Sequence, residues 1–213
     1  YTDGNNDFAN GDGDSETYAF TGYGSWLVDN GMFVDVTGKV GRLKNSFDIS
    51  TTLGTASGSY NTNAFSLSAE AGWRLHPLDN SLYVEPQVEM MYGRVLDADY
   101  TTSMGVAVEH EAVDTLIGRV GFVLGLKCPN NRGNTYVRAS ILHDWQGDAE
   151  STFTKGGQTK RISEELGDTW LEYGVGANFN ATKNLHLYAD LEATEGAKVE
   201  TSYRFNLGAR WSF

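Results

Sequence analysis

The chain has 213 residues, 40% of them hydrophobic and 12% aromatic, with 25 glycines, three prolines and a formal net charge of −12. No apolar run approaches the roughly 18–20 residues of a spanning helix, which excludes a helical membrane protein but not a membrane β-barrel, where only alternate residues need be apolar. The acidic balance argues against nucleic acid as a partner, and a lone cysteine, Cys128, excludes a disulfide framework or a multi-cysteine metal site.

Taken in chain order, the sequence opens at Tyr1 without an initiator methionine or a signal peptide, so a mature or excised piece is expected. Residues 3–14, DGNNDFANGDGD, carry Asp3, Asn5 and Asp7 at calcium-loop spacing, but Phe8 stands where that loop requires glycine. A solvated acidic loop is the expectation, with weak divalent binding as the alternative. Beyond it, about nine strands are predicted near 16–28, 31–44, 63–76, 81–99, 106–127, 134–149, 163–180, 184–194 and 199–213.

The alternation is strict. Leu67, Ala69, Ala71 and Trp73 oppose Ser68, Glu70, Gly72 and Arg74. Further along, Leu82, Val84, Pro86, Val88, Met90 and Tyr92 oppose Tyr83, Glu85, Gln87, Glu89 and Met91. Leu171, Tyr173 and Val175 oppose Glu172, Gly174 and Gly176; Leu185, Leu187, Ala189 and Leu191 oppose His186, Tyr188, Asp190 and Glu192. Pro86 lacks an N–H and hints at a bulge. Connections at 29–30, 76–80, 128–134 and 180–184 are short; those at 48–63, 97–105 and 147–161 are long. Cys128 falls in a short turn and reads as an incidental thiol.

A soluble sandwich or lipocalin-like barrel would also alternate. Three features favour an all-β, antiparallel transmembrane barrel instead: long strands, loops that alternate in length, and aromatics towards strand ends. The aromatics are Trp26, Tyr83, Tyr92, Trp145, Trp170, Tyr203 and Trp211. Short turns and the C-terminus would then be periplasmic and the long loops extracellular. The charged face would line the pore through Glu70, Arg74, Glu85, Gln87, Glu89, Arg119, Arg138, Glu172, Asp190 and Arg210. For Glu85, Gln87 and Glu89 two roles are weighed equally: filling the pore in a mixed-charge network with Arg74, Arg119 and Arg138, or contacting a segment threaded through it. Bacterial barrels have even strand numbers, so nine strands suggest that upstream strands are missing.

The stretches TGYGSWLVDNGMFVDVTGKVGRLKN, SAEAGWRL, LYVEPQVEMMYG, IGRVGFVLGLK, YVRASILHDWQGD, DTWLEYGVGANF and FNLGARWSF resemble, in order and spacing, the C-terminal translocator domain of autotransporters, the type V secretion family. The resemblance implies that residues 1–213 are the last nine strands of a twelve-stranded outer-membrane barrel. Tyr1 to about Asp14 would be the end of the third strand, and the first strands, the pore helix and the passenger would be absent. It implies a function in anchoring and exporting that upstream passenger. It also implies partners: outer-membrane lipid and lipopolysaccharide, the barrel-assembly machinery, the passenger and the pore helix. The family's terminal assembly signal maps onto Asn206, Gly208, Trp211 and Phe213. No GxSxG or HExxH motif occurs. His143 and Asp144 are adjacent but point to opposite faces, so no catalytic, cofactor or metal residues are assigned. A passive diffusion porin is the alternative function, and an outer-membrane enzyme a lesser one.

Overall fold

The computed structural model describes residues 1–8, 10–52, 54–77, 81–129, 132–196 and 203–212. Among these, period-two alternation produces fourteen strands: β1 (Thr2–Phe8), β2 (Gly11–Leu27), β3 (Met32–Thr51), β4 (Gly54–Trp73), β5 (Leu82–Val95), β6 (Ala98–Thr101), β7 (Ala107–His110), β8 (Val113–Lys127), β9 (Gly133–Asp144), β10 (Asp148–Lys155), β11 (Gln158–Glu165), β12 (Thr169–Asn180), β13 (Leu185–Glu195) and β14 (Arg204–Trp211). Ten form one antiparallel sheet in the order β1-β2-β3-β4-β5-β8-β9-β12-β13-β14, curled into a half-barrel. The other four form a second sheet, β11-β10-β7-β6.

The expected all-β, antiparallel barrel architecture is present, and it is inside-out relative to a water-soluble sheet. Among the described residues the buried apolar side chains are Tyr83, Ala98, Val108, Val123 and Leu142. The strand positions expected to be apolar and outward, such as Leu67, Val88, Met90, Leu171 and Val175, are exposed. On β3 the outward apolar run from Met32 to Val40 spans nine residues. At about 3.3 Å per residue on a tilt, that matches a hydrocarbon band about 25 Å tall.

Several expected boundaries are corrected. Residues 2–8 are a strand rather than an acidic loop: β1 pairs with β2 from Thr2↔Thr17 to Phe8↔Gly11. The long loop expected at 48–63 is a hairpin in which β3 and β4 stay in register to Thr51↔Gly54. Ser and Thr fill this stretch, and they suit strands as well as loops once the ladder takes up their backbone groups. The expected loop at 97–105 supplies β6 and that at 147–161 supplies β10 and the start of β11, while β7 and the end of β11 come from the strands predicted at 106–127 and 163–180. Those two, and the strand predicted at 81–99, break as the chain passes between the two sheets. In the strand predicted at 163–180 the break lies at Gly167, where a Cβ would come within 2.3 Å of the Gln146 carbonyl oxygen.

Pro86 makes no bulge. The β5–β8 ladder runs unbroken through Pro86↔Phe122. On the β4 side, pairing stops at Gly72↔Gln87 and resumes in the same register at the single bridge Leu75↔Val84. The missing N–H is accommodated in that gap. At the short 29–30 turn, Gly31 adopts φ of 89° and donates its N–H to the Val28 carbonyl at 2.9 Å. The open ends of the main sheet matter below: β1 covers only Gly11–Thr17 of β2, so Tyr18–Leu27 and all of β14 present free edges among the described residues.

Candidate functional site

The register aligns the charged positions in diagonal rows on the inner face. Glu70 on β4 stands opposite Glu89 on β5, and Glu89 opposite Arg119 on β8. The Arg119 guanidinium reaches both carboxylates at 2.8 Å, with its side chain only 13% exposed. Arg74 pairs with the buried Glu85 at 2.5 Å and lies 4.6 Å from the centre of the Tyr83 ring, while Gln87 donates to Glu85 at 2.8 Å. A second cluster sits on β9, β13 and β14. Arg138 pairs with Glu192 at 2.5 Å, and Arg204 approaches the same carboxylate at 4.0 Å. The Tyr136 hydroxyl donates to Asp190.

Glu89, Arg119, Arg138, Glu172 and Asp190 all border one cleft of about 920 Å³. Glu70, Arg74, Glu85 and Gln87 border a neighbouring cavity of about 340 Å³ together with Asp35. Nine of the ten residues chosen from the sequence are therefore gathered on this surface. Arg210 is not: it is exposed near the end of β14, opposite His186, and no ion pair reaches it among the described residues. Outside those ten, Glu192 is the partner of Arg138, and Arg204 and Tyr136 belong to the same cluster. Glu192 was detectable two positions beyond Asp190 on the same strand face.

Two expected girdle aromatics are corrected. Tyr83 is 1% exposed and stacks under Arg74 on the inner face, and Trp170 lines the 920 Å³ cleft. Both share the parity of Glu85 and Glu172, so strand position alone does not make an aromatic a girdle residue. Trp26, Trp145, Tyr203 and Trp211 are exposed. Tyr92 is half-buried and donates to Asp114 at 2.6 Å. His143 and Asp144 do diverge: His143 Nδ1 lies 2.7 Å from Thr169 Oγ1, while Asp144 accepts the Leu116 N–H at 3.0 Å.

Inner-face tyrosines fold over glycines directly across the ladder: Tyr83 over Gly125, Tyr136 over Gly176 and Tyr188 over Gly208. Of the four residues expected to form the terminal signal, Asn206 lines the cleft, Gly208 lies beneath Tyr188, and Trp211 faces outward opposite Leu185. Phe213 lies outside the described residues.

The second sheet packs on the inner face of the β3–β4 arm. Tyr100 stacks on Tyr60 at 5.0 Å and meets Phe47 edge-on at 5.9 Å, and the His110 ring lies 5.1 Å from Tyr60. His110 Nδ1 is 2.7 Å from Ser151 Oγ. Burial pushes the His110 pKa down, partly opposed by Asp99. The Ser103 N–H donates to the Ser57 carbonyl at 2.8 Å and fastens this cap to the arm. Among the described residues no group of three or more His, Cys, Asp or Glu side chains is placed to hold a metal ion.

The comparisons with known proteins agree with this architecture. A family model described as "Autotransporter beta-domain" matches residues 1–192. The chain is 30% identical to the Pertactin autotransporter of Bordetella parapertussis over 100% of its own length and 23% of that protein's. It is 27% identical to the Probable autotransporter YcgV of Escherichia coli, over 97% of this chain and 22% of the relative. The chain thus spans less than a quarter of the length of these relatives. Among solved structures, the β-domain of the Bordetella autotransporter BrkA superposes with a TM-score of 0.69 at 23% identity, covering 99% of this chain and 87% of that one. The translocator domain of NalP from Neisseria meningitidis gives 0.75 at 17% identity, covering 96% of this chain and 69% of its own. The chain belongs to the autotransporter β-domain family, whose members are outer-membrane β-barrels.

Proposed function

We propose that this chain is the larger part of an outer-membrane translocator, which anchors an N-terminal passenger and supports its export to the cell surface. The observation that carries the reading is the inverted sheet: apolar side chains outward and an Arg–Glu network inward, bordering a cleft of about 920 Å³. The nine inner-face residues expected from the sequence line the pore in this reading and face the threaded helix or passenger segment. The free edges of β2 and β14 support closure by upstream strands of the full-length protein, since unpaired backbone groups in lipid each cost several kcal/mol, of order ~2–7. The short turns and C-terminus face the periplasm and the arms face outward, because the aromatic and charged cap is carried entirely by the long connections. In this reading the domain does no covalent chemistry of its own.

Two measurements test this on the full-length protein. Protease shaving of intact cells should release the passenger, and deleting the residues after Gly208 should abolish both surface passenger and heat-modifiable barrel, as expected for loss of the signal read by the assembly machinery. A passenger that reaches the surface equally well without those residues would refute the assembly role. Steady ion conductance from a protein that exports no passenger would favour a diffusion porin.

A further inference from the structure

The hairpin of β10 and β11 turns on Gly156 and Gly157, whose φ angles of 58° and 79° suit the tight turn between Lys155 and Gln158. Below the turn the ladder runs in register from Lys155↔Gln158 to Asp148↔Glu165, and the Leu166 N–H continues it by donating to the Gly147 carbonyl at 3.1 Å. In an antiparallel ladder only alternate residues bond to a given neighbour. Leu166 bonds towards the β10 side, so Lys160, Ile162 and Glu164 do as well. The backbone groups of Arg161 and Ser163 therefore point to the outer edge. β11 ends its sheet, and all eight of its residues are exposed, Ile162 to 47%. Among the described residues no strand pairs with that edge, and no ion pair reaches Lys160 or Glu164.

We infer that β11 is an interface between two copies of this chain, which pair antiparallel about a twofold axis at Ile162. Outward-bonding residues meet only outward-bonding residues, so the available registers differ by steps of two positions. Centred on Ile162, the register sets Ile162 against Ile162 of the second copy and, on both sides, Lys160 against Glu164. Arg161 and Ser163 exchange the backbone bonds. The Ile162 pair is then of the non-hydrogen-bonded kind, with Cα atoms about 4.5 Å apart and side chains in contact. One step towards the turn would put Arg161 against Arg161. Edge strands carry charge, lysine above all, to repel other strands. Here Lys160, Ile162 and Glu164 share one face, and their charge reverses sign about its centre, so the charges that repel most strands attract a second copy. The contact is isologous and closed, and it joins two four-stranded caps into one continuous sheet. A single strand pair is smaller than the standard interface of roughly 1,600 Å², so the pairing is reversible.

The test uses the full-length protein in detergent, with Cys128→Ser as background, oxidised by copper phenanthroline over a series of protein concentrations. Ile162→Cys should give a disulfide-linked dimer, because a Cα separation of about 4.5 Å is within disulfide reach. Lys160→Cys and Glu164→Cys should each stay monomeric alone and crosslink when mixed. In sedimentation equilibrium Lys160→Glu should weaken the dimer about tenfold, since two attractive cross-strand pairs become repulsive. Lys160→Glu combined with Glu164→Lys should restore it. Crosslinking that is strongest for Ser163→Cys, or unchanged association of Lys160→Glu, would overturn the inference. So would an Ile162→Cys protein that stays monomeric at every concentration. A thiol there that resists maleimide would then show an upstream segment lying on the edge, and a reactive thiol would show the edge bare. Heat-modifiable migration of each variant establishes that its barrel is folded.

Discussion

Gly208 and Tyr188 stand directly across the β13–β14 ladder, with the tyrosine ring folded over the glycine so closely that a Cβ there would meet the ring's Cζ at 2.1 Å. Gly208→Ala should therefore displace the Tyr188 ring from the inner face and destabilise the final strand by about 1–3 kcal/mol. Tyr188→Ala should recover part of that loss in the double variant, because the two side chains share one space. Urea unfolding of the refolded full-length barrel measures both. A fully additive pair of effects would show that Gly208 matters for another reason, such as its place in the terminal signal.

Arg119 on β8 bridges two carboxylates, Glu70 and Glu89, that stand opposite each other across β4 and β5. Arg119→Met would leave Glu70 and Glu89 adjacent and uncompensated, at a cost of about 3–5 kcal/mol. The triple variant carrying Glu70→Gln and Glu89→Gln should return most of that stability. The midpoint of denaturant unfolding is the measurement, and a triple variant no better than Arg119→Met would argue against this electrostatic account.

Tyr100 joins the cap to the arm through its stack on Tyr60 and its edge contact with Phe47. Tyr100→Ala should loosen the cap by about 3 kcal/mol, the usual cost of truncating a large packed aromatic. The main ladder makes no use of this ring. Hydrogen exchange should accelerate in residues 98–110 and 148–155 while β8, β9 and β12 keep their protection.

His110 gives the cap a pH dependence. Burial lowers its pKa below the ordinary 6.5, so between that value and the folded pKa the opened cap binds more protons than the closed one. Cap stability should be full above pH 6.5, fall as pH drops through this window, and level off below the folded pKa. His110→Phe keeps a ring against Tyr60 and Tyr100 and should flatten the profile. Exchange rates of residues 98–110, corrected for intrinsic pH effects, provide the readout. The same pH response in His110→Phe would assign it to other groups.

Much of this protein was legible in one dimension because a strand's side chains alternate with a fixed period of two. The apolar outward positions, the inner face bearing Glu70, Glu85, Glu89 and Arg119, and the divergence of His143 from Asp144 all follow from parity alone. Parity also contained the correction to Tyr83 and Trp170, which were grouped with the girdle by their nearness to strand ends although their face was already readable.

What the chain could not reveal by itself was which residues meet across strands. Glu192 became the partner of Arg138 only once the register placed Gly174 between them in the row. The arms misled for a related reason: Ser, Thr and Gly at 48–63 carry no apolar alternation, and their strand state is set by a hairpin ladder that continues the register of β3 and β4 to Thr51↔Gly54 and by Tyr100 and Phe153 arriving from distant segments. The sequence by itself determined which face of each strand meets lipid, because that depends on parity. Tertiary structure alone decided which charges neutralise one another and that the long connections fold into a second sheet, because both depend on pairing between residues far apart in the chain.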